Sequence, residues 1–161
     1  MPNYLALFQN KNLTALQNRV FASELIALNE TTQKHGITLS KRDCADIAEF
    51  RAEALTESER LEIGAGAAGR IIEEFCDSGY VDQHNFRQVV EDLLECFYTI
   101  KNETEDRVSD DAIMEFLHYL FETAVGGDTS KMYESTALDE FVKNATRDIP
   151  SFDDKADEDT E

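Results

Sequence analysis

The sequence has no tryptophan, two prolines and three cysteines in 161 residues, and 15 Lys and Arg stand against 34 Asp and Glu. Each scarcity removes a class of protein. The prolines are Pro2 and Pro150, so nothing between them breaks a helix by withdrawing an N–H. Cys44, Cys76 and Cys96 are odd in number and far apart, which argues against a disulfide framework and for a reducing compartment. The shortage of cations leaves a net charge of −19. That excludes a nucleic-acid binder working by direct phosphate contact, and it opposes adsorption to anionic lipid. No apolar run approaches the roughly 20 residues of a membrane span. The opening stretch lacks a basic segment and its apolar run stops at Phe8, so the expectation is a cytoplasmic protein without a signal peptide. On that reading the four Asn-x-Thr sequons, at Asn12, Asn29, Asn102 and Asn144, are not glycosylation sites.

What is present reads as helix. Leu13, Leu16, Val20, Phe21, Leu25 and Leu28 predict a first helix over 12–34, closed by Gly36. Ser40 with Asp43 predicts an N-terminal cap for a second helix, with Cys44, Ile47, Ala48 and Leu55 facing inward. Gly64 to Gly69 open a third, carrying Ile71, Ile72, Phe75 and Cys76 and ending near Gly79. Asp82 caps a fourth, whose wide stripe of Phe86, Val89, Val90, Leu93, Leu94, Phe97 and Ile100 marks a central helix. Ser109 starts a fifth, with Ile113, Phe116, Leu117, Leu120, Phe121 and Ala124, and Gly126-Gly127 stop it. Thr136 with Asp139 caps a sixth, with Leu138, Phe141, Val142 and Ala145. Only Arg60–Ile63 and Tyr80–Asp82 are short strand candidates. The prediction is a compact all-α bundle of five or six helices over 12–149. A lead segment, 1–11, precedes it, and a disordered tail, 150–161, with six acids and one lysine follows. A chain this long buries about two-thirds of its surface, enough for a core without disulfide or metal.

Several patterns resemble chemistry and are weighed against plainer readings. Gly64-Ala65-Gly66-Ala67-Ala68-Gly69 matches G-x-G-x-x-G, which cradles pyrophosphate at a helix N-terminus. The unit it would need, from Leu61 to Asp82, is shorter than the roughly 30 residues such a fold requires, so a flexible helix start is the better reading. Glu115-x-x-His118 has the spacing of a di-metal helix, but no second copy exists and the helical wheel puts Glu115 nearly opposite the apolar stripe. His35 and His84 have no close Cys or His, so no zinc spacing arises. Cys76 and Cys96 lie on or beside apolar stripes and read as small buried hydrophobes. Asn102 to Asp106 is oxygen-rich but lacks the turn glycine of a calcium loop. No cofactor is implied. Without residues 150–161 the charge is still −14, so the acidity belongs to the domain and not only to the tail.

Phe75-Cys76-Asp77-Ser78-Gly79-Tyr80-Val81, Phe97-Tyr98-Thr99-Ile100-Lys101-Asn102-Glu103 and Asp106-Arg107-Val108-Ser109-Asp110-Asp111 carry a likeness. They resemble a family of small helical proteins, chiefly from Gram-positive bacteria, known as a domain of unknown function. The likeness runs from about Leu13 to Thr146 and is densest over 71–117; Gly79 stands where that family often has proline. It implies a bacterial, cytoplasmic protein and brings no activity, ligand or catalytic residue. The turns within these segments supply a candidate interaction surface: Asp77, Tyr80, Lys101, Asn102, Glu103 and Asp106. The two turns lie about 20 residues apart along the fourth helix, roughly 30 Å, so that helix alone does not join them into one small site.

The functional expectation is a non-enzymatic, acidic protein-interaction or adaptor domain with a protein partner. One alternative is a DNA-mimic inhibitor whose carboxylates replace phosphates in a single stripe. Another is a small-ligand protein or enzyme using the Gly64–Gly69 segment or a pocket lined by Tyr80, Tyr98 and Tyr119.

Overall fold

The computed structural model describes residues 4–147, with side chains from residue 15 onward. Among these residues every regular element is helical and seven α-helices form, where the sequence predicts five or six. The two strand candidates are loop and turn. The chain divides into two compact units, Met1–Glu95 and Cys96–Glu161, and the division falls inside one helix, α5 (Phe86–Glu103). The predicted acidic tail, 150–161, lies outside the described residues.

The first unit begins with α1 (Tyr4–Ala27), followed by α2 (Asn29–Thr32) and a 3-10 turn over Gln33–His35. The predicted first helix therefore starts eight residues earlier, within the predicted lead segment, and breaks at Leu28. There the ladder tightens, with Leu28 N–H donating to the Leu25 carbonyl. Gly36 closes the turn in the left-handed conformation, φ 81°, a backbone shape that costs glycine little. Helix α3 (Lys41–Glu57) carries the predicted cap in full: Asp43 N–H donates to Ser40 Oγ, and Ser40 N–H to the Asp43 carboxylate. α1 packs along α3, burying Phe21 and Leu25 on one helix and Cys44, Ile47 and Ala48 on the other. Each fully buried Leu, Ile or Phe contributes about 1.5–3 kcal/mol.

The connection into α3 is held by side-chain amides. Thr38 N–H donates to Gln83 Oε1 and Gln83 Nε2 donates back to the Thr38 carbonyl, both at 2.7 Å. Leu39 repeats the arrangement with Asn29, at 2.8 and 2.9 Å. Two successive residues thus have all four main-chain polar groups satisfied without a strand neighbour.

Helix α4 (Gly66–Phe75) buries Ala67, Ala68, Ile71, Ile72 and Phe75. Asp82 caps the entry to α5 as predicted, accepting from the N–H groups of His84 and Asn85. The first part of α5 buries Phe86, Val89, Val90, Leu93 and Leu94.

In the second unit, the rest of α5 buries Cys96, Phe97, Tyr98 and Ile100. Helix α6 (Asp110–Tyr119) starts at the predicted cap, with Ala112 N–H donating to Ser109 Oγ. It widens into a π-helical turn over Leu120–Ala124, and Gly126 and Gly127, at φ 56° and 82°, end it. A 3-10 segment, Thr129–Glu134, leads to α7 (Thr136–Arg147). The hydroxyl that caps α7 is that of Ser135, which accepts from Ala137 N–H; Thr136 is already the first helical residue. Phe141 of α7 stacks on Phe116 of α6 at 4.1 Å and 11°.

Candidate functional site

The stripe Cys44, Ile47, Ala48 on α3 continues one step further, at the spacing of the next turn, to Arg51. Arg51 is therefore carried into the core, 4% exposed. Its guanidinium lies 3.5 Å from the centre of the Phe21 ring on α1. Its Nη1 donates to the Gly64 carbonyl at 2.7 Å and stands 3.6 Å from Glu62 Oε1. A planar cation is suited to stacking and fork-like hydrogen bonding together. One buried side chain thus ties α1 and α3 to the connection before α4.

Glu62 completes the arrangement. Its Oε1 accepts from Ala67 N–H in the first turn of α4, so a carboxylate from the chain itself occupies the electropositive helix end. This accounts for the glycine motif. Gly64 and Gly66 have φ of 74° and 52°, and a Cβ on Gly66 would collide with the Glu62 carboxylate. A Cβ on Gly69 would stand 2.6 Å from Ala65 Cβ. Glu62 sits where a pyrophosphate would have to bind.

Around this corner aliphatic side chains meet polar ones, with Gln17, Asn18, Thr56 and Arg60 among the lining. Leu16, Val20, Phe21 and Ile63 line one depression with Arg51 and Glu62, and Leu55, Leu61 and Ile63 line an adjoining one with the same pair. Leu61 and Ile63 are each 94% exposed, and Leu16 and Val20 are about half exposed. Leu16 and Val20 belong to the apolar spacing that predicts the first helix. In the structure burial on α1 begins at Phe21 among the described side chains, and the preceding turn faces solvent. Single exposed aliphatics are ordinary; here Leu16, Val20, Leu61 and Ile63 gather around two adjoining depressions.

A second charged group is buried in the same unit. Glu91 on α5 is 7% exposed and accepts from Arg87 Nη1 at 2.6 Å, while Arg87 Nε stands 3.9 Å from Asp43 on α3. Burial pushes the Glu91 carboxyl up; Arg87 pulls it down, and Asp46, Asp92 and Asp43 add to the rise.

The predicted surface residues fall into two groups. Asp77 and Tyr80 belong to the first unit, where Tyr80 N–H donates to Ser78 Oγ and the Tyr80 carbonyl accepts from Asn85 Nδ2. Lys101, Asn102, Glu103 and Asp106 belong to the second. There Lys101 Nζ reaches Asp110 at 2.7 Å, and Asp106 N–H donates to the Lys101 carbonyl. Glu105 and Asp106 both take positive φ, 54° and 61°. None of the six lines the groove around Arg51. Tyr80 and Tyr119 are about half exposed, whereas Tyr98 is buried edge-on against Phe97. Glu115 is exposed, as the wheel predicts, and His118 is half-buried.

All three cysteines are buried thiols. Burial, reinforced by Asp43, pushes Cys44 up to about 11, and burial also raises Cys76. Such thiols stay protonated and act as small apolar side chains. No helix among the described residues is long and apolar enough to cross a membrane.

Among the described residues the chain is all-helical, with a groove beside a buried arginine. Residues 24–150 match a family described as a family of unknown function (DUF6323), and the chain belongs to it. No curated protein and no solved structure matches the chain.

Proposed function

We propose that this chain is a protein-interaction domain that docks a partner through the groove lined by Leu16, Val20, Leu55, Leu61 and Ile63. The observation that carries this reading is the pair Leu61 and Ile63, both 94% exposed on a connection anchored by a buried arginine. A loop tied down at Gly64 and Glu62 presents those side chains in a fixed place, which lowers the ordering cost of binding. The acidic composition supports a protein partner over nucleic acid or anionic lipid. The DNA-mimic alternative draws less support, since exposed acids occur on each of α3 to α7 and not on one helix. A ligand site at Gly64–Gly69 is opposed by the carboxylate that already caps α4.

The test is a photo-crosslinking amino acid at position 63, with the full chain added to extract of the source cells. The expected result is an adduct of discrete mass, competed by unlabelled wild type and not by Leu61→Ser with Ile63→Ser. A crosslinker at exposed Glu73 on α4 should not form it. If position 63 yields no competable adduct, the reading fails.

A further inference from the structure

We infer that the occupant of this groove is a basic amphipathic helix of a protein partner; the inference rests on the docking surface proposed above. Its second support is the outer face of α3. Glu49, Glu53 and Glu57 are all exposed and recur every four residues. On a helix that spacing stacks them on one face, about 6 Å apart. Glu53 and Glu57 line a depression with Ala52 and Thr56, and these last two also line the groove. Aliphatic side chains thus line the groove together with polar ones, and Glu53 and Glu57 stand in the depression beside it, with Glu49 one turn further along the same face of α3.

Arg51 does not cancel this field, because its charge is buried against Glu62 and the Gly64 carbonyl. Arg60 also lines the groove, so the opposite charge is offered along α3 and not around the whole rim. A helix laid in the groove would set apolar residues on Leu16, Val20, Leu61 and Ile63. Lysines or arginines every four residues on its flank would then meet the α3 row. A second copy of this chain fits poorly, since each copy carries −19 and brings the same acidic row to the contact.

The test is fluorescence anisotropy with two labelled model peptides that share one leucine stripe, one with lysine and one with glutamate on the polar face. Each is titrated with the full chain at low and moderate salt, with oligomeric state measured in parallel by sedimentation equilibrium. The lysine peptide should bind at least about tenfold more tightly than the glutamate peptide, and added salt should weaken it. Leu61→Ser with Ile63→Ser should weaken it at least about tenfold with an unchanged circular dichroism spectrum, and so should Glu53→Lys with Glu57→Lys. Glu73→Lys with Glu95→Lys makes the same charge change on α4 and α5 and should leave affinity within about threefold. The inference is overturned if both peptides bind alike, or if the control variant loses as much as the α3 variant. It is also overturned if the lysine peptide does not bind. In that case self-association abolished by the serine variant would keep the docking surface and make its occupant a second copy. A failed crosslink at position 63 instead removes the surface itself.

Discussion

The two units handle charge differently. Residues 1–95 hold 9 Lys and Arg against 16 Asp and Glu, and residues 96–161 hold 6 against 18. The second unit is the more acidic, yet among its described residues no charged side chain is buried. The first unit buries Arg51 and Glu91. The connections before α4 and before α6 reflect this contrast. Before α6 the chain turns on its own backbone, with Thr104 N–H and Oγ1 both bonded to the Ile100 carbonyl and Asp106 N–H to that of Lys101. Before α4 the connection leans on a guanidinium delivered from another helix. A turn closed by local bonds presents only its charges, here Glu105, Asp106 and Arg107. A connection tied from beneath can leave Leu61 and Ile63 in water without folding over them.

The contrast is open to direct attack. Arg51→Met removes the ion pair with Glu62 and the hydrogen bond to the Gly64 carbonyl, and should destabilise the fold by about 3–5 kcal/mol in urea unfolding. Gly66→Ala forces a left-handed alanine and displaces Glu62 from the α4 end, at about 1–2 kcal/mol by the same measurement. Thr104→Val removes one buried hydroxyl bond and should cost about 1 kcal/mol. If Arg51→Met costs no more than Thr104→Val, the dependence of the first connection on buried charge is disproved. The smallest effects are in pH dependence, and the two units should respond with opposite sign. Glu91 holds its proton more tightly folded than unfolded, so its ionisation erodes stability as pH rises. Glu91→Gln should therefore gain on wild type from about pH 4.5 upward. Asp128 is lowered by hydrogen bonds from Ser130, so its contribution is present near neutrality and lost in acid. The deficit of Asp128→Asn should shrink as pH falls.

Much of the architecture was legible because it is local. The α3 cap depends on Ser40 and Asp43, three residues apart, and the α5 stripe on a seven-member periodic pattern that is buried at every position. The surface was harder to read. Periodicity sets the angle of Leu16 and Val20 on α1 but not whether a neighbour covers them. Leu61 and Ile63 alternate with charge and so resembled an incipient strand. The clearest missed signal was Arg51, which extends the Cys44, Ile47, Ala48 stripe by one turn. A charge at a core position asks for a partner, and Glu62 follows eleven residues later. The bond from Arg51 to the Gly64 carbonyl spans thirteen residues and has no sequence pattern of its own.

The amide clamps on Thr38 and Leu39 expose the molecule to chemical ageing. Hydrolysis of the Asn29 side chain to aspartate would exchange the nitrogen that donates to the Leu39 carbonyl for an oxygen, bringing two electron-rich atoms to 2.9 Å. The same conversion of Gln83 to glutamate would do this at Thr38. Loss of ammonia from either amide would loosen the anchor at the head of α3, the helix that carries Arg51, so old preparations should lose the geometry around Arg51 before they lose their helices.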